Sequence, residues 1–434
     1  MILYIGLDDF DSKYGGCTTH LAFKIIKELI NKGFIIDDYP RLVRLNPDVP
    51  WKTRGNGAVA FKVKYHKSKD KNKIIHIVKG LTEDYHINYA KTDAGVIVCF
   101  GSIPEEFRKI YKRALSFLVP LSTVYEALNR HDNILYWYWG TGRGLIGAAA
   151  ALGADLHNKD HTYEILVYRP LNIRHRKRKI NAKELVYKDP ANTFANIDYE
   201  TKRILITPHG PDPVILGIRG ESPIDVYKAK EMIKIYEIID GWITYITNQG
   251  TFENLKKIRI CEISPFTQVI IKGKVIGRPH IIPGGHILLK VTDGTGEIDV
   301  MIYEPSGKIR KMVQEVMNGD ELIIGGGVKI KDRKITLNTQ LIKPLKREYT
   351  LEKPPICPKC LKPMKSLGWN KGYECKRCKY HVGKVKSIIA YSRRFHPEIL
   401  EPPLRSIRHL TRPIQRIGIR NTYNRKLHKN WIKC

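Results

Sequence analysis

Ile2-Leu-Tyr-Ile-Gly-Leu-Asp8-Asp9-Phe10-Asp11-Ser12, then Gly15-Gly16-Cys17-Thr18-Thr19-His20, opens the chain just after Met1. The β-rich run Ile2 to Leu7 stops at a loop with three carboxylates, and after the glycine turn Leu21, Ile25, Ile26 and Leu29 recur on one helical face. The order is therefore strand, acidic loop, helix, as in an α/β unit. Neighbouring carboxylates repel, and a hard divalent cation removes that cost. Mg2+ binds through one or two carboxylates and keeps waters and phosphate oxygens as its other ligands. Asp8, Asp9 and Asp11 are the candidate ligands. Thr18 and Thr19 stand where the free N–H groups of a helix start favour a phosphate. An acidic turn followed by a helix cap accounts for the same spacing equally well. No G-x-x-x-x-G-K-[ST] run occurs, so an ATP site here is not of the P-loop kind.

Working outward, further strands are expected around Arg41 to Leu45, Ala58 to Tyr65 and Gly95 to Phe100, with Lys67 to Lys73 as a solvated charged loop. Linking the first two of these strands is Arg44-Leu-Asn46-Pro47-Asp-Val-Pro50-Trp51-Lys52-Thr53-Arg54-Gly55-Asn56-Gly57-Ala58. Its prolines and glycines stiffen an excursion whose Lys52, Arg54 and Asn56 donors suit triphosphate oxygens, although a solvated basic loop fits the local residues as well.

A second block runs from Pro120, with Ser122 capping a helix to Asn129, as far as about Asn254. Gly142-Arg143-Gly144-Leu-Ile-Gly147 matches G-x-G-x-x-G by letter, but the strand Tyr163 to Tyr168 ends in Arg169 where a dinucleotide fold needs an acid. A tight strand-to-helix turn is the better reading. Arg174 to Lys179 is a basic run on a loop, either a phosphate contact or an exposed flap. The segment His209 to Ser222 reads as a pocket wall, with Asp212 and Glu221 able to meet a cation.

Five short β segments follow, Thr267 to Ile276, Gly285 to Asp293, Glu297 to Tyr303, Glu321 to Ile330 and Arg333 to Ile342, with a helical stretch Ser306 to Met317 between the third and fourth. That order is the one found in the oligonucleotide/oligosaccharide-binding (OB-fold) barrel, and Gly325-Gly326-Gly327 supplies a bend. Cys357-x2-Cys360 and Cys375-x2-Cys378 have the spacing of a zinc ribbon, while Cys17, Cys99, Cys261 and Cys434 default to buried structural residues. Beyond Cys378 a basic, proline-interrupted tail carries Arg393, Arg394, Arg405, Arg408, Arg416 and Arg420, placed over the folded domains or over RNA.

With 75 Lys+Arg against 43 Asp+Glu the chain carries +32, a surplus that points to a polyanionic partner, nucleic acid first. Hydrophobic residues at 42% exclude a disordered chain. No apolar run reaches the ~18 residues of a membrane span, and no signal core precedes Asp8, so a cytoplasmic protein without membrane attachment is expected. No feature calls for a protein partner.

The Asp8-Asp9-x-Asp11-Ser12 start with Gly15-x-Cys17-Thr18-Thr19, the run from Asn46 to Gly57, Gly142-Arg143-Gly144-Leu-Ile-Gly147 and Gly217-Ile-Arg-Gly-Glu221 together resemble the archaeal tRNA(Ile) 2-agmatinylcytidine synthetases. The resemblance spans the whole chain in domain order. It implies an α+β multidomain protein: a kinase-like α/β catalytic domain over 1–119, a ferredoxin-like domain with the agmatine pocket over 120–255, an OB-fold over 256–346, and a zinc ribbon with basic tail over 347–434. It further implies an ATP-dependent C–N ligase that activates the wobble cytidine of the CAU-anticodon isoleucine tRNA at C2 and joins agmatine there. Under that reading Asp8, Asp9 and Asp11 hold Mg2+, and Thr18 is itself phosphorylated. Thr19, Lys52, Arg54, Asn56 and Gly57 bind ATP, Asp212 and Glu221 meet agmatine, and Cys357, Cys360, Cys375 and Cys378 hold Zn2+. A non-catalytic RNA-binding protein is the competing class, and the carboxylate cluster argues against it. A lysinylation-type ligase needs a Ser-Gly-Gly-x-Asp-Ser loop, which is absent.

Overall fold

A computed structural model of the chain describes residues 1–188, 190, 192–304, 306–331, 334–346, 348–385, 387–392, 398–421 and 426–434. Its body comprises β1 (Ile2–Asp8), α1 (Thr18–Asn31), β2 (Arg41–Arg44), β3 (Gly57–Lys64), α2 (Ser68–Tyr85), β4 (Gly95–Phe100), α3 (Glu105–Ala114), α4 (Leu121–Asn129), β5 (Ile134–Tyr138), α5 (Gly144–Gly153), β6 (Thr162–Tyr168), β7 (Val214–Gly220), α6 (Pro223–Glu231) and β8 (Gly241–Thr247). These strands form one ten-stranded sheet in the order β7-β6-β8-β2-β3-β1-β4-β5, with Ile35–Ile36 added to β3 and Ile432–Lys433 to β8. β8 and β2 run parallel, and the other pairs along this path are antiparallel.

Strand alternation gives the sheet two buried faces. Leu3, Ile5, Leu7, Val59 and Val96 pack under α1 and α2, whereas Val43, Ala58, Ala60 and Ile97 pack under α3, α4 and α5. The charged stretch expected as a loop at 67–73 is instead the start of α2. The Lys67 N–H donates to the Asp70 carboxylate at 3.0 Å, and Ile74, Val78 and Tyr85 bury one face of the helix. Lysines on the outer face conceal that apolar stripe from a reading by composition.

The second body is a closed five-stranded barrel of β9 (Gln268–Ile282), β10 (His286–Thr292), β11 (Glu297–Ile302), β12 (Glu321–Lys331) and β13 (Lys334–Lys346). Its order is β9-β10-β11-β13-β12, and β12 returns to pair with β9. Helix α7 (Lys308–Gln314) lies between the third and fourth strands and buries Ile309 and Val313 in the barrel core. The glycine run does bend the barrel. The register shifts at Gly325/Gly326, and a Cβ on Gly326 would lie 2.0 Å from the Asn338 carbonyl. Gly327 does something further, because a Cβ there would lie 1.6 Å from Asp48 Oδ2 in the body. Asp48 ties three parts of the chain together, accepting from Gln268 Nε2 at 2.7 Å, Lys329 Nζ at 2.6 Å and Arg408 NH1 at 2.6 Å.

The tail returns to the body. Arg405 pairs with Asp198, Arg412 with Asp160, and the fully buried Arg416 with both Asp160 and Glu221. Ile432–Lys433 then completes the sheet beside Trp242 and Ile243. Arg393 and Arg394 lie outside the described residues. Cys17 and Cys99 are buried as expected, but Cys261 and Cys434 are exposed. Among the described residues no helix is long and apolar enough to cross a membrane.

Candidate active site

β1 delivers Asp8 to the end of the central strand, opposite Gly95 of β4. The chain then turns through Asp9, held at φ +61° in the left-handed region, where strain is characteristic of functional positions. Helix α5 begins against this point. A Cβ on Gly144 would lie 2.3 Å from Gly95 N, and one on Gly147 would lie 1.8 Å from Asp8 Oδ2. The glycines of the 142–147 run therefore let a helix start press against two strands and a carboxylate, and the strand-to-helix reading holds.

Asp8, Asp9 and Asp11 line a cleft of about 650 Å³ together with Lys52, Thr53, Asn56, Gly57 and Arg143, under an apolar wall that includes Leu45, Val49 and Phe117. Burial and the neighbouring Asp9 charge push the Asp8 carboxyl well above the usual carboxylate range. Burial, with Asp11 and Asp93 adding repulsion, pushes Asp9 up to about 7, against the pull of Arg143 and a 3.5 Å hydrogen bond from Thr53. Two carboxyls held away from their ordinary state by burial first and by neighbouring carboxylates second fit a divalent cation, whose charge would favour their ionised forms. Asp11 is turned differently. Its Oδ2 accepts from Thr18 Oγ1 at 2.7 Å, and its Oδ1 accepts from Arg54 NH1 at 3.0 Å.

On the other side of Asp11 lies a second cavity of about 860 Å³, lined by Cys17, Thr19, Arg44, Arg54, Glu164, Asp212, Arg219 and His409 among others. Asp11, Thr53 and Gly57 line both spaces. Arg54 NH1 bridges Asp11 and Asp212, at 3.0 and 3.5 Å, from a backbone at φ +43°. Arg178 holds the other Asp212 oxygen at 3.1 Å, and burial still raises the Asp212 carboxyl above its ordinary value. Asn56, at φ +47°, donates to the Asn46 carbonyl at 2.8 Å and so shapes its loop. Glu221 is not in either space. Arg416 Nε and NH2 occupy its two oxygens at 2.6 and 2.9 Å, and Asn421 binds it as well, so it fixes the tail to the body and has no free oxygen for a ligand's guanidinium. Thr53, Asp93, Arg143, Glu164, Arg219 and His409 were not singled out from sequence as site residues. Arg143, Thr53 and Arg219 sit inside the 142–147, 46–57 and 217–221 runs, which could have marked them, while Asp93, Glu164 and His409 carry no local signal.

The four cysteine sulfurs lie within 4.8 Å of one another, the only such ligand group among the described residues. Three two-residue strands, Lys365–Ser366, Tyr373–Glu374 and His381–Val382, carry the two knuckles. A donor set of four thiolates fits tetrahedral zinc.

Fold and site define a multidomain protein in which an α/β body with an acid-lined cleft is joined to a closed five-stranded barrel and a four-cysteine ribbon. Family models for the TiaS TCKD domain, the TiaS FLD domain and the TiaS C-terminal zinc ribbon domain match residues 4–139, 142–253 and 354–395. The tRNA(Ile2) 2-agmatinylcytidine synthetase TiaS of Staphylothermus marinus is 38% identical over 96% of this chain and 94% of its own length. A crystal structure of the TiaS–tRNA(Ile2)–ATP complex superposes with a TM-score of 0.82 at 29% identity, covering 98% of this chain and all of that one. A TiaS–tRNA(Ile2)–AMPCPP–agmatine complex does so at 0.80 and 27%, with the same coverage. The chain belongs to the TiaS family.

Proposed function

We propose that the chain is an ATP-dependent tRNA-modifying ligase that phosphorylates the C2 oxygen of the wobble cytidine in the CAU-anticodon isoleucine tRNA and joins agmatine at C2. The product, 2-agmatinylcytidine, lets the tRNA read AUA as isoleucine. The observation that carries this reading is the full-length similarity to TiaS complexes with tRNA(Ile2), a nucleotide and agmatine, on a body whose two cavities meet at Asp11. The body divides into a kinase-like domain over 1–119 and a ferredoxin-like domain over 120–255, followed by the OB-fold over 256–346 and the zinc ribbon and tail over 347–434.

The C2 oxygen of cytosine is a poor leaving group. Phosphorylation turns it into phosphate and leaves C2 open to an amine. Asp8, Asp9 and Asp11 would hold Mg2+, which when bound neutralises charge on the ATP phosphates. The acid-lined cleft takes the nucleotide, its apolar wall facing the base, with Lys52, Asn56 and Gly57 beside the phosphates. Thr19 and Arg54 face the same phosphates from the second cavity. Thr18 is the phosphoryl acceptor within the chain, its hydroxyl already held by Asp11. Asp212 would exchange its 3.5 Å pairing with Arg54 for the guanidinium of agmatine, keeping Arg178 on its other oxygen, and Glu221 acts at a distance by anchoring Arg416. Cys357, Cys360, Cys375 and Cys378 hold Zn2+ as a structural ion.

Incubation with a tRNA(Ile2) transcript, ATP and agmatine, followed by nucleoside mass spectrometry, should show 2-agmatinylcytidine only when all three are present. Retained tRNA binding without product would instead make the chain an RNA-binding protein.

A further inference from the structure

His409 comes from the tail, beyond the zinc ribbon, yet it lines the second cavity beside Arg54 and Asp212. It also lines a third space, of about 810 Å³, that opens between Lys52, Arg54 and Arg408 and reaches Lys329 of the barrel. The imidazole thus stands at the neck joining the catalytic cavity to the cationic opening on the barrel side. Gly55 is matched to it, since a Cβ there would lie 2.7 Å from His409 Nε2.

The tautomer of His409 is set by a chain of partners. Glu164 is a buried carboxylate flanked by Arg44 at 3.4 Å and Arg219 at 3.5 Å, and it can only accept. Gln249 Nε2 donates to Glu164, which turns the Gln249 carbonyl oxygen toward His409. His409 Nδ1 lies 2.8 Å from that oxygen and must therefore carry the proton. Nε2 is left as a lone pair, with no hydrogen-bond partner among the described residues. Burial and the charges of Arg44, Arg219 and Lys52 hold the ring neutral.

Resting on the function proposed above, we infer that His409 is a specificity-determining residue whose Nε2 accepts a hydrogen bond from the exocyclic amino group of the target cytosine. The chemistry of the cavity selects that group. Arg44, Arg54 and Arg219 are donors, and the carboxylates of Asp11, Asp212 and Glu164 are already bound to guanidinium groups. A neutral acceptor with a free lone pair matches a neutral amino group, whereas an ammonium would be drawn to a carboxylate. Uracil would set a carbonyl oxygen against the same lone pair, and the Glu164–Gln249 link prevents the ring from switching tautomer to receive it. A base extruded from a loop and entering from the barrel side meets His409 before it reaches Asp11.

The test is a cycle of protein and base changes on the full-length, zinc-loaded chain. Single-turnover kcat/KM is measured with tRNA(Ile2) bearing either cytidine or 2-pyrimidinone riboside, which lacks the amino group, at the wobble position. The wild type should lose roughly tenfold or more on removal of the amino group. His409→Leu should show that loss already with cytidine and no further loss with the pyrimidinone. His409→Gln, which can place an amide oxygen near the Nε2 position, should restore most of the difference, and Gln249→Met should weaken it without removing the ring. The KM for agmatine should stay within about twofold in all of them. An amino-group penalty of unchanged size in His409→Leu overturns the inference, as does a raised agmatine KM with base discrimination intact. A wild type that forms no 2-agmatinylcytidine would instead overturn the function on which the inference rests.

Discussion

The two cavities that meet at Asp11 treat their carboxylates in opposite ways. In the second cavity each one has guanidinium partners: Asp11 has Arg54, Asp212 has Arg54 and Arg178, and Glu164 has Arg44 and Arg219. In the cleft Asp8 and Asp9 lie together with Asp11 without a guanidinium partner of their own among the described residues, and Arg143, whose charge pulls on Asp9, is paired with Asp93. One space is electrostatically complete and ready for a polar organic group. The other is deficient in positive charge by construction, and a nucleotide's metal would fill that deficit. Under the function proposed above, the contrast would let one sheet serve a phosphoryl transfer and an amine transfer without either substrate taking the other's place.

Removing one uncompensated charge should separate the two cavities most strongly. Asp9→Asn should lower ATP consumption on the order of 10³-fold, because a carboxylate that would hold the nucleotide's metal is lost, while tRNA affinity changes little. Phosphate release and filter binding measure the two quantities on the same preparation. Wild-type ATP consumption in Asp9→Asn would show that the cleft needs no metal at that residue.

A smaller effect tests position without touching charge. Gly147→Ala places a methyl 1.8 Å from Asp8 Oδ2 and forces the carboxylate to move. A displacement of about an ångström should cost roughly 10²-fold in kcat. Gly33→Ala, where a Cβ meets nothing within 4 Å but the backbone stands at φ +82°, is the control for backbone strain alone. Equal losses in the two variants would mean that Gly147 does not position Asp8.

The difference in how legible the two spaces were follows from the same construction. The cleft draws on Asp8 to Asp11, Lys52 to Gly57 and the 142–147 run, three contiguous motifs in which spacing itself carries chemistry. The second cavity shares the Asp11 to Thr19 and Thr53 to Gly57 stretches but is completed by single residues of β6 and of the tail, and a lone Glu164 or His409 looks like any other core or surface residue until the sheet order and the return of the tail bring them together. The barrel was read strand by strand because alternation and turn glycines are local signals. The single ten-stranded sheet was not, since the pairing of β8 with β2, some 200 residues apart, leaves no mark in either segment. Glu221 shows the same limit from the other side. Its motif reads as a ligand wall, and only the return of the tail discloses Arg416 as its partner.

The finest test of the comparison is titration of the metal-free protein. The Asp9 carboxyl is raised from about 3.8 in the unfolded chain to about 7 in the folded one. Between those values the folded state keeps a proton that the unfolded state has released, so unfolding is favoured as pH rises through the window. Metal-free protein should therefore lose stability from about pH 4 to pH 7 and show no further change from this group above it. Asp8 and Glu401, also raised, slope in the same direction, and Asp240, lowered to about 2 by His20 and Lys27, slopes the opposite way below the window. Asp9→Asn isolates the one contribution. The wild-type minus variant difference should change by roughly 2 kcal/mol across the window, less than the full linkage because the cleft is open to water. Millimolar Mg2+ should flatten the wild-type curve toward that of the variant. Parallel curves for the two proteins without metal would mean that Asp9 ionises in the folded chain as it does in water, and the electrostatic distinction between the two cavities would be lost.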